Sequence, residues 1–205
     1  PAMQKAAEVR LRISSGLHEA LERKQLLLAY QPIVELGTGR VHKAEALLRW
    51  RHPQQGNIAP AAFIPIAEEC GMIGELSEWV LDEALRAARI WRETLRPDFR
   101  ISINVSALHF REKQNHQHWL RKLADSGVPG DALVLEITEG VLLGADYAVQ
   151  EALERYHAAG IRIALDDFGT GYSALSYLKR YRLDYLKIDQ SFVRQIAEDA
   201  RDLAL

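Results

Sequence analysis

Apolar residues recur four apart near the start of the chain. Val9, Ile13, Leu17 and Leu21 stand within residues 3–25 with Glu, Arg and Lys between them. That spacing predicts an amphipathic helix, serving either to pack on a neighbouring core or to connect this domain (26–205) to another. Beyond it the period shortens. Strand-like runs cover 26–34, 42–50, 100–105, 132–138, 161–166 and 184–188. Leu36-Gly37-Thr38-Gly39 separates the first two as a hairpin turn would. Helical patterns at 60–69, 74–95, 116–125, 145–159, 172–180 and 190–204 alternate with the later runs. Such alternation predicts an α/β fold with a largely parallel sheet and helices outside it.

Side-chain parity narrows the architecture, because successive strand residues face opposite sides. Ile101, Ile103 and Val105 oppose Ser102 and Asn104; Leu133, Leu135 and Ile137 oppose Val134, Glu136 and Thr138. Ile161, Ile163 and Leu165 oppose Arg162, Ala164 and Asp166, and Leu186 and Ile188 oppose Tyr185 and Lys187. One face is aliphatic and the other carries polar groups. A doubly wound sheet wants apolar residues on both faces. A barrel with helices outside and polar groups inside fits better, with its chemistry at the C-terminal strand ends. An eight-stranded barrel runs to about 250 residues; six strands in 205 residues predict that roughly two βα units are absent from this chain.

Composition changes little. A hydrophobic share of 48% permits an ordinary core, and a net charge of −2 gives no footprint for general nucleic-acid binding. No apolar run reaches the roughly 20 residues of a membrane span. Cys70 is the only cysteine, so no intrachain disulfide forms, which suits a reducing, cytoplasmic setting, whatever anchors a parent protein carries.

Glu45, Asn104, Glu136, Asp166 and Lys187 fall on the polar strand faces, and Asp167 follows Asp166 directly. Oxygen-rich sets suit hard divalent cations such as Mg2+ or Mn2+. Two such ions activate water and support in-line phosphoryl displacement. The competing reading stays open: an Asp ending a strand is commonly a helix cap, and a strand Lys or Glu is commonly solvated. The histidines lack HExxH spacing, and His116 and His118 read as solvent-facing. Cys70 reads as a core residue at a helix end, and Trp50, Trp79, Trp91 and Trp119 read as packing. Gly169-Thr170-Gly171 reads as a sharply turned or mobile loop rather than a dinucleotide fingerprint.

Several motifs then fall into one order. Tyr30-Gln31-Pro32-Ile33, Glu45-Ala46-Leu47, Asn104-Val105-Ser106, Glu136-Ile137-Thr138-Glu139, Asp166-Asp167-Phe168-Gly169-Thr170-Gly171-Tyr172-Ser173 and Lys187-Ile188-Asp189 stand on successive strands. Together they resemble the EAL-domain family of cyclic di-GMP phosphodiesterases over residues 26–205. The resemblance implies a modified (β/α)8 TIM-like barrel with an antiparallel first strand, and hydrolysis of cyclic di-GMP to linear 5′-pGpG in bacterial signalling such as biofilm control. It implies Mg2+ or Mn2+, two per site. Glu45, Asn104, Glu136 and Asp166 would hold the first ion; Asp167 would serve the second. Lys187 would contact the attacking water. Gln31, Leu47, Arg49 and Asp189 would line the nucleotide side, and Glu139 would anchor the loop at 167–176. A homodimer and an upstream GGDEF or sensor domain are further implications. The barrel's last strands would bring a glutamate and a glutamine that this chain does not contain, so the 205-residue fragment alone is expected to be inactive. Two rivals remain: a receptor that binds cyclic di-GMP without cleaving it, and a scaffold acting only by dimerisation.

Overall fold

A computed structural model describes residues 2–111, 113–143, 147–169 and 180–194, with side chains from residue 10 onward except Lys113. The chain divides into two compact units, Pro1–Ile103 and Asn104–Leu205.

In the first unit, helix α1 (Ala2–Glu22) precedes strands β1 (Leu26–Val34), β2 (Val41–His52) and β3 (Gly56–Ile58). Helices α2 (Pro60–Glu69) and α3 (Ile73–Thr94) follow, then β4 (Arg100–Asn104). β1 and β2 pair antiparallel around the expected turn, where the Gly39 N–H donates to the Glu35 carbonyl at 2.8 Å. β4 lies parallel to β2, with Glu45 level with Ser102. The short β3 adds a second hairpin to β2 that the sequence reading missed. Its three residues are too few for alternation to register.

α1 packs: Ile13, Leu17 and Ala20 join Trp50, Phe63, Ala67 and Leu76 in one buried cluster. The indole of Trp50 closes one side of it and donates to Gln25 Oε1 at 3.1 Å. Helix α2 ends in a double backbone cap, with Gly71 N–H on the Glu68 carbonyl and Met72 N–H on the Ala67 carbonyl. Gly71 has φ +78°, which glycine alone adopts freely. Met72 turns inward there and is buried, while Cys70 stays exposed. Cys70 is thus at a helix end as expected but is not a core residue: the cap points Met72 at the core in its place. Trp91 packs edge-on to Tyr30 and Phe99, as the packing reading requires.

The second unit holds α4 (Lys113–Ser126), β5 (Leu133–Thr138), α5 (Glu139–Leu143), α6 (Tyr147–Ala158), β6 (Arg162–Phe168) and β7 (Tyr185–Ile188). β5, β6 and β7 are parallel. The pattern at 145–159 therefore corresponds to α6, with α5 a separate short helix before it. Gln190–Phe192 is a single 3₁₀ turn where a helix from 190 was expected. The rest of that pattern, and all but Arg180 of the helix expected at 172–180, lie outside the described residues. His116 is 1% exposed, which overturns the solvent-facing reading. It lies on the same face of α4 as the buried Trp119 and Leu123, three and seven residues on. Leu186 and Ile188, expected beneath helices, are 43% and 59% exposed.

Candidate active site

In the first unit, β2 has two faces. Ala44, Ala46 and Trp50 are buried, while Glu45, Leu47 and Arg49 share the other side and are half-buried. Gln31 on β1 lies directly opposite Glu45. The Arg49 guanidinium donates to the Leu48 carbonyl at 2.9 Å. Ser102, level with Glu45 on β4, is fully buried, and its hydroxyl finds no hydrogen-bond partner among the described residues. Ser102 thus lies on the polar face that alternation predicts, with no role predicted for it.

In the second unit, register does the gathering. Glu136 on β5 is level with Ala164 on β6, and Thr138 with Asp166. Leu165 is level with Leu186, so Lys187 falls beside Asp166. Lys187 Nζ donates to Glu136 Oε2 and, at 3.0 Å, to Asp166 Oδ2. The Glu136 side chain is 0% exposed. Glu136 and Asp166 each offer a carboxylate oxygen within 4.8 Å of the other. Asn104 is exposed at its strand end, and the next residue, Val105, donates its N–H to the Glu136 carbonyl at 2.9 Å.

β6 is irregular where it matters. Three residue steps on β6, from Leu165 to Phe168, match two on β7, from Leu186 to Ile188. This is a β-bulge, a device that re-aims a side chain. Asp167 takes φ +53°, a left-handed conformation that Asp tolerates better than most residues. Its N–H donates to Asp166 Oδ1 at 3.0 Å. Strict alternation would put Asp166 and Asp167 on opposite faces; the bulge breaks that alternation between them. Just beyond, Gly169 N–H donates to Glu139 Oε1 at 2.9 Å. Asp189 caps the 3₁₀ turn: the Ser191 hydroxyl and N–H both donate to it and hold its carboxyl below the usual range.

A family model described as "EAL domain" matches residues 15–205. The chain belongs to the EAL domain family. It is 42% identical, over its whole length, to the bifunctional diguanylate cyclase/cyclic di-GMP phosphodiesterase MucR of Pseudomonas aeruginosa, of which it covers 30%. It is 40% identical over 95% of its length to the cyclic di-GMP phosphodiesterase NbdA of the same organism, covering 25% of it. The chain thus spans a third or less of these relatives. Among solved structures, the MucR phosphodiesterase in complex with c-di-GMP matches with a TM-score of 0.88 over 94% of this chain and 78% of that one. The EAL enzyme Bd1971 with cAMP and cyclic di-GMP matches at 0.90, with 32% identity, over 97% of this chain and 55% of that one. The EAL fold is accordingly the α/β, parallel-rich, TIM-barrel-like one expected, and β1 is its antiparallel strand.

The residues fit a divalent ion on their own chemistry. Among the described residues, two carboxylates, one of them fully buried, share the Lys187 ammonium, which concentrates negative charge in a poorly solvated place. The donors are all oxygen, the set hard cations prefer. Two contributors escaped the sequence reading. Ala164 leaves the gap through which Lys187 reaches Glu136, and Phe192 lies against Gly169. A small residue on the polar face of β6, level with Glu136 and two residues before Asp166, was the available signal for Ala164.

Proposed function

We propose that this chain carries the catalytic domain of a metal-dependent phosphodiesterase that opens cyclic di-GMP to linear 5′-pGpG. The observation that carries the reading is the Glu136–Lys187–Asp166 arrangement: a fully buried and a partly buried carboxylate with one ammonium between them. Glu45, Asn104, Glu136 and Asp166 would hold one Mg2+ or Mn2+, and Asp167 would take part in holding a second. When bound, such ions lower the pKa of a water and neutralise charge on the phosphate. Lys187 orients the attacking water and balances charge as the phosphodiester oxygen becomes more negative. Arg49 clamps a phosphate through its guanidinium fork; Gln31, Leu47 and Asp189 border the nucleotide, and Glu139 steadies the loop after the bulge. A homodimer, an upstream GGDEF or sensor domain reached through α1, and action on the cytoplasmic side belong to the same proposal. No helix among the described residues is long and apolar enough to cross a membrane.

Incubation of the complete protein with cyclic di-GMP and Mn2+, followed by chromatography for pGpG, tests the reading. Product formation that stops in Glu136→Gln supports it. Tight binding of intact cyclic di-GMP without product would favour a receptor role, and no binding at all a scaffold.

A further inference from the structure

Gly169 follows the Asp166–Asp167 bulge with one residue between, and it is held from two sides. Its N–H donates to Glu139 Oε1 at 2.9 Å. Its Cα faces the ring of Phe192: a Cβ built there would lie 2.6 Å from Cε2 and 2.7 Å from Cζ of that ring. Real Cβ atoms do not approach so closely, so the ring rests where any other side chain would begin. Gly169 also takes φ +101°, which L side chains rarely adopt. Phe192 closes the 3₁₀ turn that Asp189 caps, and the Asp189 N–H donates to the Phe168 carbonyl. The segment leaving the bulge is thus pinned by a carboxylate, a backbone hydrogen bond and an aromatic ring.

We propose that Phe192 is a positioning residue: its ring, seated on Gly169, holds the bulge in the shape that presents the Asp167 carboxylate to a second divalent ion. This rests on the metal-dependent reading above. Phe192 touches no reacting atom; it acts through Gly169 and the bulge. Aromatic contact suits the task because a flat, rigid ring fixes a surface at little entropic cost. Without the ring, a positive-φ glycine two residues after a left-handed Asp has many alternative conformations to occupy.

The test compares Phe192→Ala, Phe192→Leu, Gly169→Ala and the double variant Gly169→Ala/Phe192→Ala. Amide hydrogen exchange at residues 166–169 is measured without metal, and Mn2+ is titrated by calorimetry. In Phe192→Ala, exchange at 166–169 should quicken while the thermal midpoint stays close to wild type. The weaker of two Mn2+ sites should lose roughly 10–100-fold in affinity, the range for residues that support metal ligands, and the tighter site should be kept. Phe192→Leu should recover part of both effects. Gly169→Ala should be impaired by the clash with the ring and by its positive φ, and removing the ring in the double variant should lift only the first of these. Unchanged exchange at 166–169 in Phe192→Ala overturns the proposal. Should Phe192→Ala not fold, Phe192→Leu carries the same comparison. If the wild-type protein binds no Mn2+, the metal reading and the ion-presenting half of this proposal fall together. Binding by wild type with an unaltered Phe192→Ala profile overturns the Phe192 role alone.

Discussion

The Lys187 ammonium meets the Glu136 carboxylate across the full width of β6. The two residues stand on strands two spacings apart, about 9.5 Å. The strand between carries Asp166 beside Lys187 and, level with Glu136, only the methyl group of the fully buried Ala164. A larger residue would fill the space the two side chains share. Ala164→Leu is therefore expected to cost about 1–3 kcal/mol by overpacking and to weaken Mn2+ binding as well. Urea denaturation and calorimetry read the two effects separately; wild-type metal affinity in this variant would refute the gap argument.

Removal of the ammonium should hurt most when no metal is present. Lys187→Ala leaves the Glu136 carboxylate buried without its cation, a loss of roughly 3–5 kcal/mol when one partner of a buried pair is removed. A divalent ion can supply the missing charge. The thermal midpoint of Lys187→Ala should rise more on adding Mn2+ than that of wild type, while turnover falls and nucleotide affinity persists. Equal Mn2+-induced shifts in the two proteins would count against it.

His109 sets an acid limit on stability. It is 6% exposed, accepts or donates one hydrogen bond with the Tyr156 hydroxyl at 2.6 Å, and lies against Trp119. Burial, assisted by nearby His116, pulls its pKa from 6.5 down to about 4. The unfolded chain therefore binds a proton that the folded chain refuses between these values. Stability from this group is intact above pH 6.5 and is lost as pH falls towards 4, with a slope of up to about 1.4 kcal/mol per pH unit. Denaturation midpoints measured from pH 7 to 4 should fall more steeply in wild type than in His109→Gln.

Asp184 ties the starts of β6 and β7 together. Its carboxylate accepts from Arg162 Nη1 at 2.7 Å and from the Ile163 N–H at 2.9 Å, and it pairs with His157 Nε2 at 2.9 Å. Burial would raise its pKa, but the Ile163 N–H, Arg162 and His157 outweigh it and leave it lowered. Asp184→Asn should cost about 1–3 kcal/mol in urea denaturation. Its stability contribution should also vanish as pH falls below the ordinary carboxylate range, since a lowered pKa stabilises only the ionised form. Metal affinity should not change.

Metal choice and the first-unit ligand can be tested together. Mg2+ and Mn2+ suit compact octahedral sites, whereas Ca2+ takes longer bonds and more ligands. Ca2+ should support cyclic di-GMP binding with little cleavage, and Glu45→Ala should abolish cleavage in every metal. Equal rates with Ca2+ and Mg2+, or normal turnover in Glu45→Ala, would refute the ligand set.

Strands carrying the polar residues were legible because their period of two survives in the sequence. Ile101, Ile103, Leu133, Leu135, Ile163 and Leu165 are all buried, as alternation requires. The pairing of Asp166 with Lys187 and Glu136 follows from the same parity. Alternation could not reveal the bulge, since an extra residue leaves no mark in a hydrophobic pattern; Asp167 entered the candidate set only as the neighbour of Asp166, and its service to a second ion came from family resemblance. The fate of His116 was hidden for another reason: α4 is polar enough that its buried side is set by what packs on it. Cys70 was misjudged because residue type favours burial, whereas its place at the end of α2 is decided by the backbone cap around Gly71.

That cap gives the protein an unusual convenience for spectroscopy. The one thiol in the chain is exposed on a helix terminus, its Sγ no closer than 3.7 Å to the Ala67 carbonyl it faces. A maleimide dye or nitroxide would therefore attach at a single known position without competing cysteines to remove. The reporter would sit on the first unit, at the exposed C-terminal end of α2.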